Sequence, residues 1–593
     1  MKNVDKVINI GGAAGAWGDS SLATAQLLAS KKLDYIVYEG LAEVTMAILT
    51  RAKMKNPQAG YAIDFINPVL KTHLREIREQ GIRVVTNAGG INPQAAAEAL
   101  REIAAAQAIP LKVAVVEGDN LMPQLEQLRA ADVREMAHDT PLPKKVLAMN
   151  AYLGAFPIAA ALDAGADVVI TGRVVDSALM LAPCIHEFGW TADEYDKLAQ
   201  GSLAGHLLEC GPQSTGGLLT DWESVESWVN IGYPIAEVSA DSSFILTKAD
   251  GTDGLVNIAS ATEQILYEIG NPRAYILPDV VCNFAEVTLT QVGNNRVLVE
   301  NAKGSPPPPT YKACTLEMDG YRLFSTLLFT GRNAVGKAQR VADTLFERMR
   351  RVYAARGIED FRATSVEIMG GESQFGPHSN ATGSREVVLK IAAHHNNKHA
   401  LSFFAREIPS SALSMAQSII GFASGLPRPM PFIRLHSIHV PREFVTISVS
   451  LDNEPLVGAW QTTTMALNPP AADNASEDVY AGETVDVSLL DVAYGRSGDK
   501  GNICNVGIVA RRPELVAVLR RELSAEKVKQ YLSHLVEGHV ERFELPGLNA
   551  FNFVMHDALG GGGTASLRFD PLGKGMAQIL LEMPIAVPVM LIP

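Results

Sequence analysis

The 593-residue chain is poor in what several large function classes need. Cysteine is scarce. The five cysteines, Cys184, Cys210, Cys282, Cys314 and Cys504, are odd in number, widely spaced and without a CxxC pair. That argues against a disulfide or zinc framework and fits a reducing compartment. Positive charge is also short: 51 Lys and Arg stand against 65 Asp and Glu, a formal net charge of -14. No long basic cluster is present to neutralise a run of phosphates, so nucleic acid is not an expected partner. No apolar run reaches the roughly 18–20 residues a membrane helix requires, and the apolar C-terminus is interrupted by Glu582, Pro584, Pro588 and Pro593. Met1 to Trp17 makes a poor secretory leader, because Asp5 and Asn9 interrupt it and Gly11, Gly12 and Gly15 break its apolar stretch. A cytoplasmic protein with no membrane partner is the expectation.

Apolar side chain is plentiful. Hydrophobic residues make up 47% and charged residues 20%, enough to bury sizeable cores and too little charge for a disordered chain. The length corresponds to about four domains, or fewer if one is a large α/β unit.

Residues 1–280 alternate short β-branched runs with longer Ala- and Leu-rich stretches, the rhythm of βαβ units on a mostly parallel sheet. Strands are predicted at Val7–Ile10, Tyr35–Tyr38, Ile82–Thr86, Lys112–Val116, Lys145–Met149 and Asp167–Ile170. Helices are predicted at Ser21–Ala29, Val69–Gln80, Gln94–Ala106 and Ser177–Phe188. The pattern does not separate an open sheet from a closed barrel. Residues 281–465 read as an α+β region, with strands around Gly293-Asn294-Asn295 and helices at Gly336–Ala355 and Ser411–Phe422. Residues 466–484 read as a linker, and 485–593 as a ferredoxin-like α+β domain.

In parallel sheets ligands bind beyond the carboxyl ends of the strands, where loops open onto helix N-termini. Those ends carry Gly11, Gly12, Gly15, Gly18 and Asp19, then Glu39, then Asn87, Gly89 and Gly90, then Glu117 to Asn120, and finally Arg173 and Asp176. The first loop lacks strict GxGxxG spacing and a P-loop lysine, so it reads as an anion-approach loop or as a capped turn. Glu39 stands where a general base or metal ligand would, or caps the next helix. Arg173 and Asp176 read as an anion clamp or an ion pair at a helix start. Glu209 lies in a dense polar stretch with His206 and Cys210, but the three lack the spacing of a metal motif. The tract His394 to His399 reads as a solvated turn. Arg496, Ser497, Asp499 and Lys500 lie in a loop with more chemistry than turning requires, which suggests an anion-binding or interface role. The glycine loops and the Arg496 to Lys500 segment are the candidate cofactor-binding residues, but the sequence does not name a cofactor.

Several of these segments together resemble the acyclic terpene utilisation A family. They are Gly11-Gly12-Ala13, Trp17-Gly18-Asp19, Asn87-Ala88-Gly89-Gly90, Thr171-Gly172-Arg173 and His206 to Gly211. Arg496 to Asn502 resembles the loop of that family's C-terminal ferredoxin-fold domain. The resemblance implies a place in citronellol and geraniol breakdown, where branched acids are handled as CoA thioesters.

Two readings follow. One is an enzyme of lyase or hydratase type acting on a branched acyl-CoA, with Glu39, Asp176 or Glu209 as base and Arg173 with the glycine-loop amides holding the thioester enolate. The other is a non-catalytic ligand-binding or assembly subunit, the small domain mediating contacts in a homo-oligomer. A metal-dependent hydrolase is a third, less favoured reading.

Overall fold

Apolar, β-branched runs, most of them in the first half of the chain, assemble into one mixed sheet of eleven strands. In the computed structural model, residues 6–592 are described apart from 382, 422–424, 459, 461–462 and 474–481. The centre of the sheet is parallel: Val7–Gly15, Tyr35–Glu39, Arg83–Thr86, Val168–Thr171 and Val113–Glu117 lie side by side in that order. In register, Gly12 pairs with Val37, Val37 with Val85, Val85 with Val169 and Val169 with Ala114.

Successive side chains point to opposite faces, and both faces are covered. Ile36, Val84, Val115 and Ile170 join a cluster with Leu27, Leu74 and Leu100 of the helices Leu22–Ala29, Lys71–Glu79 and Pro93–Ala106. Val37, Val85, Ala114 and Val169 join Ile158, Leu181 and Leu203 of Phe156–Asp163, Ala178–Phe188 and Tyr195–Leu208. The sheet is open. Its outermost strands, Thr288–Gly293 and Glu454–Leu456, lie at opposite ends, and antiparallel strands border the parallel centre on both sides. Residues beyond 280 therefore supply strands to both edges of this sheet.

A second sheet is built on the 21-residue strand Thr310–Thr330, which pairs with Met430–Pro441 and Glu386–His395. Helices Ala334–Ala355 and Lys398–Glu407 cover it through Leu345, Phe346 and Phe404. Three expectations are corrected in this region. The strand predicted at Lys145–Met149 spans Val146–Ala151 and pairs antiparallel with Thr310–Thr330 rather than joining the parallel sheet; an apolar run does not encode its distant partner. The helix predicted at Ser411–Phe422 stops at Ser414 and gives way to the strand Ile419–Gly421, while Phe422 lies outside the described residues. His394 and His395 are not in a solvated turn: they end a strand and are buried, their Nε2 atoms 2.6 and 2.9 Å from the Asp319 and Glu359 carbonyls.

The C-terminal unit is a four-stranded antiparallel sheet, in the order Ala493–Lys500, Ile503–Ala510, Ala550–Met555, Val540–Leu545. Helices Val516–Glu522, Ala525–Tyr531 and Met576–Leu581 bury its apolar face. The segment Arg496 to Lys500, read as a loop, is strand up to the turn at Gly501-Asn502. Its glycine has another use: a Cβ on Gly498 would stand 2.5 Å from Glu268 Cγ, so the bare backbone lets this strand lie against residues 266–270. Asn505 and Asn552 fix that approach by donating to the Leu266 and Gly270 carbonyls at 2.6 and 2.7 Å. Of the expected linker 466–484, residues 474–481 lie outside the described residues, and Asp473 is held by a bidentate bond from Arg273 at 2.9 and 2.7 Å. Among the described residues no helix is long and apolar enough to cross a membrane.

Candidate active site

Parallel strands bring their last residues to one place, and a cavity of about 760 Å³ opens there, within the range of roughly 300–1,000 Å³ usual for small-molecule sites. All three parts of the chain line it. Gly15, Glu39, Arg173, Asp176 and Glu209 come from the first sheet and its loops. Tyr311, Lys312 and Leu435 come from the second, and Asp499, Lys500, Gly562 and Lys574 from the C-terminal unit.

Glu39 ends its strand with only 8% of its surface exposed. Its Oε1 accepts from the Leu41 amide at 2.7 Å and from Asn87 Nδ2 at 3.0 Å, and lies 4.0 Å from Arg173 Nη1. Burial pushes this carboxyl up and the Asp176 charge adds to it, while Arg173 and the two hydrogen bonds pull it down; the balance is about 8. Burial thus shifts Glu39 toward its protonated form near neutral pH. Asn87 braces the turn by also accepting from the Gly40 amide at 3.0 Å.

Arg173 is almost fully buried. Its Nη1 donates to Asp176 Oδ1 at 2.6 Å, and the guanidinium lies 4.3 Å from the centroid of the Tyr152 ring. Its backbone amide donates to Asp119 Oδ2 at 3.0 Å, which also accepts from Asn150 Nδ2 at 2.7 Å. Burial raises Asp119 to about 6 in spite of both bonds.

Glu209 follows the helix Tyr195–Leu208 and sits 2.9 Å from Nδ1 of the buried His206. The other ring nitrogen faces the Ile265 carbonyl at 3.2 Å. A carbonyl only accepts, so Nε2 carries a hydrogen and Nδ1 shares a proton with Glu209. Burial pushes Glu209 up against the pull of His206. Burial and the Glu209 charge push the neighbouring Cys210 thiol well above its ordinary range.

Opposite lies a cluster centred on Glu268. It accepts from Lys500 Nζ at 2.6 Å and Lys574 Nζ at 2.9 Å, and Lys574 also donates to the Tyr267 hydroxyl and stands 3.6 Å from Asp499. Burial pushes Glu268 up, yet the two ammonium groups together hold it well below the usual carboxylate range.

A family model described as the acyclic terpene utilisation family protein AtuA matches residues 8–451. The chain belongs to this family. A second model, the AtuA ferredoxin-like domain, matches residues 487–586, so the ferredoxin-like fold expected for the C-terminal part holds. No curated protein and no solved structure matches the chain. AtuA membership ties the chain to acyclic terpene utilisation.

Within this chain, eight of the residues singled out from sequence meet at the cavity: Gly15, Glu39, Arg173, Asp176, Glu209, Cys210, Asp499 and Lys500. The others stand behind it. Gly11 and Gly12 are strand residues, and a Cβ on Gly12 would lie 2.7 Å from the Leu208 carbonyl oxygen. Gly18 lies in the following turn, and Asp19 braces the segment by accepting from the Gly15 amide at 2.9 Å and from the Tyr233 hydroxyl at 2.6 Å. Asn87 supports Glu39, and Gly89 and Gly90 turn the chain into Pro93–Ala106. Arg496 lies 4.6 Å from the Tyr267 ring centroid and bonds Gln213, and the Ser497 hydroxyl accepts from the Ala577 amide at 2.9 Å. Sequence reasoning missed Tyr152, Lys312, Glu268 and Lys574. Only Lys574, between Gly573 and Gly575, carried a local signal.

Proposed function

We propose that this member of the AtuA family is an enzyme of lyase or hydratase type that acts on a branched acyl-CoA thioester in acyclic terpene breakdown. The observation that carries the reading is Glu39, a buried carboxyl raised to about 8, on a cavity wall 4.0 Å from Arg173. Such a group gives and takes a proton near neutrality. Arg173, held by Asp176 and seated on Tyr152, supplies a fixed positive charge for a thioester enolate oxygen. Leu41, Val175, Ile276, Leu277 and Leu435 make an apolar wall suited to a branched chain, and Lys312, Lys500 and Lys574 place cations where carboxylate or phosphate groups would lie.

In the hydratase form, ionised Glu39 takes a proton from water as its oxygen bonds the β carbon, Arg173 holds the enolate oxygen, and the α carbon then takes up a proton. In the lyase form, Glu39 takes the β-hydroxyl proton as the bond between α and β carbons breaks, leaving a ketone and an enolate that is protonated on carbon. The test is incubation with a panel of branched acyl-CoA thioesters, read by thermal shift and by mass spectrometry of products. Stabilisation with a new hydrated, dehydrated or cleaved product supports the enzyme. Stabilisation without turnover favours the binding subunit, and neither effect overturns both.

A further inference from the structure

A second group of chemistry-bearing side chains lies on the ferredoxin-like domain, outside the cavity wall. His539 and Glu541 flank Val540 at the start of the strand Val540–Leu545, and residues two apart on a strand share a face. Val540 pairs with Met555 across the antiparallel ladder, and the His556 amide donates to the His539 carbonyl at 3.0 Å, so the two histidines stand opposite each other. Their rings are stacked, centroids 3.9 Å apart and 12° from parallel. His556 Nε2 is 2.9 Å from Glu541 Oε2, and one ligand atom from each of the three residues lies within 4.8 Å of the other two.

We propose that His539, Glu541 and His556 bind one divalent metal ion of the zinc class. Two imidazole nitrogens and one carboxylate oxygen suit a borderline-soft ion such as zinc and do not suit magnesium or calcium, which take oxygen ligands. Bonds of about 2.0–2.1 Å in a tetrahedron space the ligand atoms by roughly 3.4 Å. The three ligand atoms already lie within 4.8 Å of one another, and the two stacked rings must turn toward a common point to close on the ion. Three protein ligands leave the fourth position to water, and the exposed His539 gives the ion access. The ligands sit on both arms of the hairpin that carries the domain's edge strand. The ion would therefore clip that edge to its neighbour and stabilise the folded domain by mass action.

The test is titration of chelator-treated, full-length protein with zinc chloride near neutral pH, read by calorimetry and by the visible spectrum of a cobalt(II) substitute. The expected result is one ion per chain with a dissociation constant on the order of micromolar or tighter. Affinity falls by roughly tenfold or more in H539A and in H556A. E541Q weakens binding, and H399A, at an exposed histidine elsewhere, leaves it unchanged. Circular dichroism checks folding; should H556A misfold, H539A decides, because its side chain is exposed. Absence of zinc binding in this range, or wild-type affinity in both histidine variants, overturns the site.

Discussion

At Glu39 the loss of water outweighs two hydrogen bonds and a guanidinium 4.0 Å away, and that imbalance has a thermodynamic consequence. A carboxyl whose folded-state pKa is raised keeps its proton in the folded protein over a range where the unfolded chain has lost it. Its contribution to stability is complete below the ordinary carboxylate range, near pH 4.3, and is lost as pH rises through about 8. E39Q, which cannot ionise, removes that dependence. The melting point of wild type relative to E39Q should fall between those pH values, and parallel curves would contradict the raised pKa. The residue was legible because a carboxylate directly after an apolar strand falls where parallel sheets present their chemistry. Glu268 was not: it follows a helix at an ordinary loop position, and its partners Lys500 and Lys574 lie more than two hundred residues away.

At the scale of elements, the glycines of the first strand act mainly through what they leave room for. A Cβ on Gly15 would lie 2.5 Å from the Cys210 carbonyl carbon, beside Glu209. G15A should therefore destabilise the protein by about 1–3 kcal/mol, the usual cost of overpacking. Urea denaturation measures it, and an unchanged midpoint would mean that the turn at Glu209 and Cys210 yields without strain. The same contact explains a partial reading. Glycine density was visible, but whether it serves an anion or a neighbouring backbone depends on the helix Tyr195–Leu208, some two hundred residues downstream. The parallel strands were readable because both of their faces are buried. The strand Val146–Ala151 has the same texture and a different sheet, since pairing is a long-range choice.

The whole molecule closes its cavity by bringing the ferredoxin-like domain against residues 266–270, with Glu268 between Lys500 and Lys574. Glu268 has a depressed pKa, so its contribution to stability is present above the ordinary carboxylate range and is lost as pH falls through and below it. E268Q should cost about 1 kcal/mol at neutral pH, modest because the two lysine side chains are 41% and 40% exposed. The difference from wild type should vanish in acid; its persistence there, followed by thermal melts, would assign the loss to packing. Three parts of one chain thus meet at Glu39 and Arg173, and Glu39 is the proposed base. The decisive measurement is the pH–rate profile of thioester turnover, wild type against E39Q. A wild-type rate rising through pH about 8, with a loss of roughly 10²–10⁴-fold in E39Q at unchanged folding, is the expected result. Turnover by E39Q at the wild-type rate with the same profile would contradict it.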